Sequence, residues 1–453
     1  MNSSGGGRAL EAVARVSEGV PPAEALEAGA AEAGAAEAGA AEAGAAEAGA
    51  AQAWVAFDIA VRARARPPWF LPPTEQPRWP RLSALFGPRP APPPPRPPAL
   101  ALCDPDGRVR EAALKGFDAG PELHPLLVVR CADWVEPVRE RARALLGGLS
   151  AGELLPHSEL ILRLSRRAQG DFARALLEGT LREGPGADVV ALLAHPDRAT
   201  YRLAYRIAVE RGLLTPTELA TAAATCGDVT LQDLCAEAAV AAVPERAGGR
   251  KDASGKAARA GGRAEETGPA GDGAAVLDRL LTARAPRVRA AGVTALRRAG
   301  LHREAEPFLA DRSAVVRACA RYVLRQGGID PLPRYRALCA EPGAHPGAAA
   351  GLGECGDRAT DAGTLWALVE HPLPAVRLHA ITGLRALDAV ARERLTPSLD
   401  DPSPAVVRAA TRALLPDAAR IPEALLRERT APGRPRAVRV AAARLLRAAG
   451  LVG

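Results

Sequence analysis

A Val-Arg pair recurs along most of this 453-residue chain, each time shortly after a turn that contains Asp or Pro. The stretch "DPDGRVREAALKGF" begins at Asp104, "DRSAVVRACARYVL" at Asp311 and "DDPSPAVVRAATRAL" at Asp400. Well-matched neighbouring copies are 28 to 31 residues apart, or 60 where one copy is missing near Gly347. The copies align on Arg110, Arg139, Arg289, Arg317, Arg377, Arg408 and Arg439, with Arg202 as a poorer match. A period of this length is the size of one pair of antiparallel helices, which predicts a stacked helical array.

Apolar residues keep a fixed position relative to the repeated arginine. In the copy at Arg317 they are Val316, one residue before it, and Leu324, seven residues after it, with the small residue Ala320 between them. Offsets of −1, +3 and +7 lie on one face of an α-helix. Each repeat therefore has an apolar stripe that it can bury only against its neighbours.

The composition favours helices over sheets. Aromatic residues make up only 3% of the chain, whereas hydrophobic residues in total make up 48%. A core of Ala, Leu and Val suits closely packed helices, since strands are enriched in aromatic and β-branched residues. The predicted fold class is all-α, an α-α superhelix in two arms that follows a low-complexity and Pro-rich N-terminal region.

The repeats resemble HEAT-type repeats, whose second helix opens with the Val-Arg pair after an acid in the preceding turn, as in Asp133…Val138-Arg139. The chain departs from this pattern at His371, where other copies have Asp, and at Arg202, which follows Tyr201. The resemblance implies that the turn acids and the arginines, Arg408 among them, form a ladder of charge-assisted hydrogen bonds between repeats. The short Val-Arg repeats also resemble those of the phycobilin-lyase-type repeat family, and from this resemblance we infer no bilin binding.

The organisation of the chain follows from where the repeats stop. The predicted segments are a low-complexity Ala/Gly/Glu tract with a short helix (1–66), a Pro-rich segment (67–100), a first arm (101–244), a disordered polar loop (245–273) and a second, basic arm (274–453). The Pro-rich segment carries Trp69, Phe70, Trp79 and Phe86 among its prolines. It is expected either to cover the exposed end of the array or to form an exposed polyproline ligand.

The two arms differ in charge. Residues 101–244 hold 16 basic and 20 acidic residues, whereas residues 274–453 hold 28 and 17, a net charge of +11. Much of the difference arises at offsets +4 and +8 from the repeated arginine, where stacked repeats would align side chains in a column. We therefore predict an anion-binding, partner-contacting surface on the second arm, formed by Arg297, Arg321, Arg325, Arg385, Arg412 and Arg447. The alternative is that an arginine near a helix C-terminus only complements the helix dipole.

No catalytic, cofactor-binding or metal-binding residues are predicted. The seven cysteines form no C-x-x-C pair, and the sequence has no H-E-x-x-H and no G-x-S-x-G motif. The stretch "GLGECG", Gly351 to Gly356, matches G-x-G-x-x-G, but a turn and an alanine run precede it where a dinucleotide site needs a strand. His371 and His379 lack the further ligands of a metal site.

These observations lead to two alternative functions. The first is a non-enzymatic scaffold that binds an acidic segment of a protein partner. The second is a nucleic-acid-binding protein that resembles in architecture the HEAT-like alkylpurine DNA glycosylases, but without their catalytic site, because Asp133 beside Trp134 is the ladder acid. No apolar run approaches the length of a membrane span, so we expect no membrane partner and a cytoplasmic protein.

Overall fold

A computed structural model of the chain describes residues 3–18, 20–22, 24–26, 44–64, 96–117, 120–245 and 271–451. Over these ranges the secondary structure is helical, and no strand occurs. The chain divides into two compact units, residues 1–213 and 214–453. Within each unit, successive helices pack as neighbouring pairs, which confirms the predicted all-α, α-α superhelical fold class.

The first unit begins with two long helices and continues with short helix pairs. Its α-helices are α1 (Ser3–Ser17), α2 (Gly44–Arg64), α3 (Pro98–Leu102), α4 (Gly107–Lys115), α5 (His124–Arg130), α6 (Glu136–Leu146), α7 (Ala151–Leu154), α8 (Ser158–Leu164), α9 (Asp171–Glu183), α10 (Gly186–Ala191) and α11 (Arg198–Glu210). Short 3-10 helices cover Pro121–Leu123, Leu155–His157 and Leu192–Ala194.

The second unit has the more regular stack. Its α-helices are α12 (Pro216–Thr225), α13 (Val229–Ala241), α14 (Asp272–Leu281), α15 (Pro286–Arg298), α16 (Ala314–Gln326), α17 (Pro331–Leu338), α18 (Ala348–Cys355), α19 (Arg358–Leu368), α20 (Pro374–Ala386), α21 (Arg392–Leu395), α22 (Pro404–Leu414), α23 (Glu423–Arg429) and α24 (Arg436–Ala448). Single 3-10 helices cover His302–Ala310, Thr396–Asp400 and Leu415–Arg420.

The second helices of the pairs in this unit pack side by side as a layer, in the order α13, α15, α16, α18, α20, α22 and α24. The missing copy near Gly347 is α18. Because α12 packs on α14 and α13 on α15, these helices lie in one unit although the polar stretch 245–273 separates them in sequence.

The predicted apolar stripe is the core of the stack. In α6, Val138, Ala142 and Leu146 are completely buried, and the equivalent residues of α16 and α20 are buried as well. The first copy is an exception because α4 ends at Lys115. Its completely buried apolar residue is Leu114, whereas the repeat pattern predicts Phe117. The stripe confirms that burial between successive repeats, and not helix propensity alone, fixes the stack.

The ladder of arginines and turn acids is present as three bidentate pairs. Arg289 of α15 donates from Nε to Asp311 Oδ2 at 2.8 Å and from Nη2 to Asp311 Oδ1 at 2.9 Å. Its Nη1 donates to two carbonyls of its own turn, those of Ala283 and Arg284. The pairs Arg110–Asp133 and Arg377–Asp401 have the same geometry. Each arginine therefore ties its own turn to the turn of the next repeat.

Arg408 does not belong to this ladder, so the expectation for that copy was wrong. The turn acid Asp401 precedes Val407 by six residues, the same interval that separates Asp311 from Arg317. Val407 thus occupies the ladder position, where it is 1% exposed, and Arg408 points away to solvent. The extra valine in "PAVVRA" shifted the alignment by one residue.

Loss of a ladder arginine is accompanied by loss of the acid that it would bind. Gly351 takes the arginine's place in α18, and the next turn has His371 instead of Asp. Val407 takes it in α22, and the next turn has Gly433. At His371 the imidazole Nδ1 accepts the backbone N–H of Leu373 at 3.1 Å, the bond that an Asp accepts in other turns.

The glycines of the "GLGECG" stretch lie within and just after helix α18, where they permit close packing of helices. A Cβ added at Gly351 would overlap the ring of Tyr335, and one added at Gly353 would overlap the backbone of Gly383 in α20. The stretch is therefore a packing motif, and in this helical setting it lacks the strand that a dinucleotide site requires.

The start of the first unit is covered by α1 and α2. Helix α2 packs on α1, α5 and α8 and is longer than the short helix expected from the sequence. Its Asp58 is 6% exposed and binds Arg130, which also donates from Nη1 to Asp133 Oδ2 at 3.0 Å. Of the Pro-rich segment 67–100 expected to cover this end, residues 67–95 lie outside the described part of the chain.

Candidate anion-binding surface of the second unit

The exposed side of the second-helix layer in the second unit carries a set of arginines at equivalent positions. Counted from the start of its helix, each of these arginines is the fifth, ninth or twelfth residue. In an α-helix with 3.6 residues per turn, these three positions lie within about 60° of one another around the helix axis. We call this set the arginine face. Its members are Arg297 of α15, Arg325 of α16, Arg385 of α20, Arg408 and Arg412 of α22, and Arg444 and Arg447 of α24.

These seven side chains have no carboxylate partner in the described ranges, as is also true of exposed arginines elsewhere in the second unit, such as Arg279 of α14 and Arg436 and Arg439 of α24. Within the described ranges, none of their guanidinium groups makes a hydrogen bond or ion pair, and all seven residues are exposed. By contrast, Arg289, Arg336 and Arg377 each bind an aspartate through two nitrogen atoms. Helices α22 and α24 contain no acidic residue at all. The face is therefore a surface of uncompensated positive charge.

The predicted partner-binding residues fall on this face with one exception. Arg297, Arg325, Arg385, Arg412 and Arg447 are exposed on it. Arg321 is not, because its side chain is only 12% exposed and binds Glu354 and the Tyr335 hydroxyl. Two members of the face are not among the predicted residues: the repeat pattern places Arg408 in the ladder, and Arg444 lies five residues after Arg439, whereas the prediction uses offsets +4 and +8. The turn acid Asp401, six residues before Val407, is the signal that could have placed Arg408 correctly.

Arg321 has a structural role that the irregular α18 repeat makes necessary. Since His345 stands where the next turn acid would be, Arg317 binds Glu354 of α18 instead, and the same carboxylate binds Arg321. Tyr335 is fully buried beside them. Its burial raises its pKa to about 12 despite the opposing effect of Arg321, so its hydroxyl stays protonated. The cluster replaces the missing rung of the ladder.

Apolar side chains accompany the arginines on the same side of the layer. Tyr322, three residues before Arg325, is 48% exposed, and Val440, four residues before Arg444, is 58% exposed. Exposed apolar groups among cations are a common composition for a protein-binding surface, where aromatic residues and arginine are enriched.

The described ranges contain no group of three or more His, Cys, Asp or Glu that could hold a metal ion. Burial raises the pKa of Cys131, Cys235 and Cys339 to about 12, which keeps these thiols protonated and unreactive. Asp133 is not an available carboxylate, because its side chain is buried and bound by Arg110 and Arg130. Among the described helices, none is long and apolar enough to cross a membrane.

One further concave region lies on the first-helix side of the second unit. It is a cleft of about 320 Å³ lined by Trp366, Arg394, Glu370, Ser398 and Asp400, among others. Its aromatic wall is already covered by the chain itself, since the Arg394 guanidinium lies 4.3 Å from the centre of the Trp366 ring. The cleft is therefore a weaker candidate than the arginine face.

Comparisons with known proteins add little to this description. No family model matches the chain, and no curated protein matches it. Among solved structures, a match covers 78% of this chain and 98% of a crystallised engineered protein from the Northeast Structural Genomics Consortium, with 15% identity and a TM-score of 0.20. At that score the likeness supports no inference about function.

Proposed function

We propose that this protein is a HEAT-type, non-enzymatic scaffold whose arginine face binds an acidic segment of a protein partner. The observation that carries the proposal is the absence of counter-charge around the seven arginines. Elsewhere in the stack the turn acids are matched by arginines, as Asp311 is by Arg289 and Asp401 by Arg377. Arginines that stack repeats thus come with carboxylates, and the arginine face is left for carboxylates supplied by a partner.

The geometry favours an extended ligand over a small one. The seven arginines are distributed over α15, α16, α20, α22 and α24, which are successive members of one layer apart from α18. Each guanidinium offers up to five donors in a planar fork that matches a carboxylate. An acidic chain running across the helices can contact several arginines in turn, whereas a single small anion can contact few.

The dipole of the helices does not explain the arrangement fully. An arginine in the last turn, such as Arg447, is favoured by the negative end of the helix dipole. Arg408 lies in the first half of α22, where that effect is absent or unfavourable. The helix dipole therefore does not explain why Arg408 is exposed without a carboxylate partner.

The proposal can be tested by fluorescence anisotropy with the full-length protein. The probes are a labelled glutamate-rich peptide, a labelled duplex DNA and a labelled single-stranded RNA, each titrated across a salt series. The variant R412E/R444E reverses two charges of the arginine face, and R279E makes the same kind of change at an exposed residue of the first helix α14. We expect the peptide to bind the wild type and R279E, and to lose at least tenfold in affinity with R412E/R444E.

The nucleic-acid probes decide the partner class. If about seven phosphates were neutralised, log K would fall against log salt with a slope of about −6 for duplex DNA. Binding of DNA or RNA with that dependence, abolished in R412E/R444E and tighter than peptide binding, would assign the face to nucleic acid. Equal peptide binding by R412E/R444E and wild type would refute the arginine face as the binding surface.

A further inference from the structure

Helix α24 presents two opposite sides of different chemistry. One side is buried through Val438, Ala441, Ala442, Leu445 and Leu446. The other side carries Arg436, Arg439, Arg444 and Arg447 around the exposed Val440. Among the large hydrophobic side chains of the described residues, only Trp134 is more exposed than Val440.

The spacing surrounds Val440 with positive charge. Arg436 lies four residues before it and Arg444 four residues after it, so one arginine sits a helical turn to each side, at about 6 Å between Cβ atoms. On the neighbouring helix α22, Arg408 occupies the position equivalent to Val440. None of these three arginines has a carboxylate partner in the ranges that the structure describes.

This arrangement is unfavourable for the helix by itself. Arg436 and Arg439 lie in the first turn of α24, where the positive end of the helix dipole disfavours a cation. The pairs Arg436 and Arg439, and Arg444 and Arg447, are like charges three residues apart, which destabilises a helix slightly. No acid of α24 or α22 relieves the repulsion. A carboxylate-bearing ligand would relieve it.

We propose that Val440 and the arginines around it form the recognition centre for an acidic segment that carries an aliphatic or aromatic side chain between its carboxylates. This proposal rests on the proposed function of the arginine face and specifies the partner further. A purely polyanionic ligand would satisfy the arginines but leave Val440 in water. An apolar side chain flanked by acids matches both features. Loss of its contact with the half-exposed Val440 should lower the affinity about fivefold.

The test compares three labelled 15-residue Gly/Ser-based peptides with the full-length protein by fluorescence anisotropy. The first has four glutamates flanking a central leucine, the second has serine in place of that leucine, and the third keeps the leucine but has glutamines for glutamates. The protein variants are V440A and R436E/R444E, with R279E as the control for charge. Thermal melting checks each variant for folding, and V440A is expected to melt like the wild type because Val440 is largely exposed.

We expect the leucine peptide to bind the wild type about fivefold more tightly than the serine peptide, and V440A to bind the two equally. R436E/R444E should weaken both acidic peptides, and the glutamine peptide should not bind. Equal affinity of the leucine and serine peptides for the wild type would overturn the role of Val440 while leaving the proposed function intact. Failure of every acidic peptide to bind would overturn the proposed function together with this one.

Discussion

Replacing Arg289 tests whether the ladder between repeats stabilises the second unit. Its side chain and that of Asp311 are 9% and 11% exposed and share two hydrogen bonds of 2.8 and 2.9 Å. In R289A the Asp311 carboxylate keeps only the backbone N–H of Ser313, and the carbonyls of Ala283 and Arg284 lose their donor. Breaking a buried ion pair by removing one partner costs roughly 3–5 kcal/mol. We expect R289A to fall in that range.

The graded variants separate charge from geometry. R289K keeps the positive charge but loses the planar fork, so it should cost about 1–2 kcal/mol. The double variant R289M/D311A removes both charges together, and replacing a buried pair by apolar groups is often close to neutral. Its cost should therefore be smaller than the sum of the costs of the single variants R289M and D311A by at least about 1.5 kcal/mol.

Hydrogen exchange measured by mass spectrometry is the suitable assay, because stacked repeats can unfold locally and a single global transition is not guaranteed. Peptides from α15 and α16 should lose protection in R289A, whereas those from α24 should change little. Urea unfolding followed by circular dichroism gives the total cost. A coupling below about 0.5 kcal/mol between positions 289 and 311 would refute the reasoning, since it is the scatter expected of independent sites.

The pH dependence gives an independent check on the same pair. Burial alone raises the pKa of Asp311, but the bonds from Arg289 and the Ser313 N–H outweigh it and hold the pKa below its ordinary value. The contribution of this carboxylate is therefore complete above about pH 4 and is lost as the pH falls through the lowered folded-state pKa. In R289A the main cause of the lowering is gone, so the stability lost over this acidic range should be smaller than in the wild type.

Three further predictions concern other parts of the fold. Burial, with the nearby His124, lowers the pKa of His157 to about 4, so the first unit should lose up to about 3 kcal/mol as the pH falls from 6.5 to 4, and H157Q should remove that slope in acid titrations of stability. G353A should destabilise the second unit by about 1–3 kcal/mol because its Cβ would overlap Gly383, whereas G363A, with open space in helix α19, should be neutral or stabilising by up to about 1 kcal/mol in urea unfolding. D58A should leave the buried Arg130 with Asp133 as its one remaining carboxylate partner and weaken the packing of α2. Residues 51–64 should then exchange their amide hydrogens faster, and unchanged exchange would contradict the role of Asp58 in holding that helix.

The repeat stripe could be predicted from the sequence because it depends on period alone. Val138, Ala142 and Leu146 stand at helical spacing and are buried, as are the equivalent residues of α16 and α20. The ladder acids could be predicted for the same reason. The period does not define the alignment of a copy that has one extra residue. For this reason the sequence pattern places Arg408, instead of the buried Val407, at the ladder position.

Other features depend on contacts between distant residues and leave no periodic signal. Glu354 lies 37 residues from Arg317 and does not stand in a turn, so its role in replacing a turn acid follows only from the way α18 packs. The burial of Arg321 follows from the same substitution. Asp58 lies in an Ala-rich helix outside the repeats, and its pairing with Arg130 could be recognised only once α2 was placed on α5.

The strongest argument for function comes from the way this chain balances its own charges. Where a repeat loses its ladder arginine, the next turn loses its acid, as Gly351 with His371 and Val407 with Gly433. Where Arg317 lacks a turn acid, Glu354 replaces it. The turn acids and Glu354 bind Arg289, Arg317 and Arg377, whereas the seven arginines of the face are exposed and have no carboxylate partner within the described ranges. Their counter-charge comes from solvent ions until an acidic partner displaces them, and this displacement should make the affinity for an acidic peptide fall steeply as salt rises.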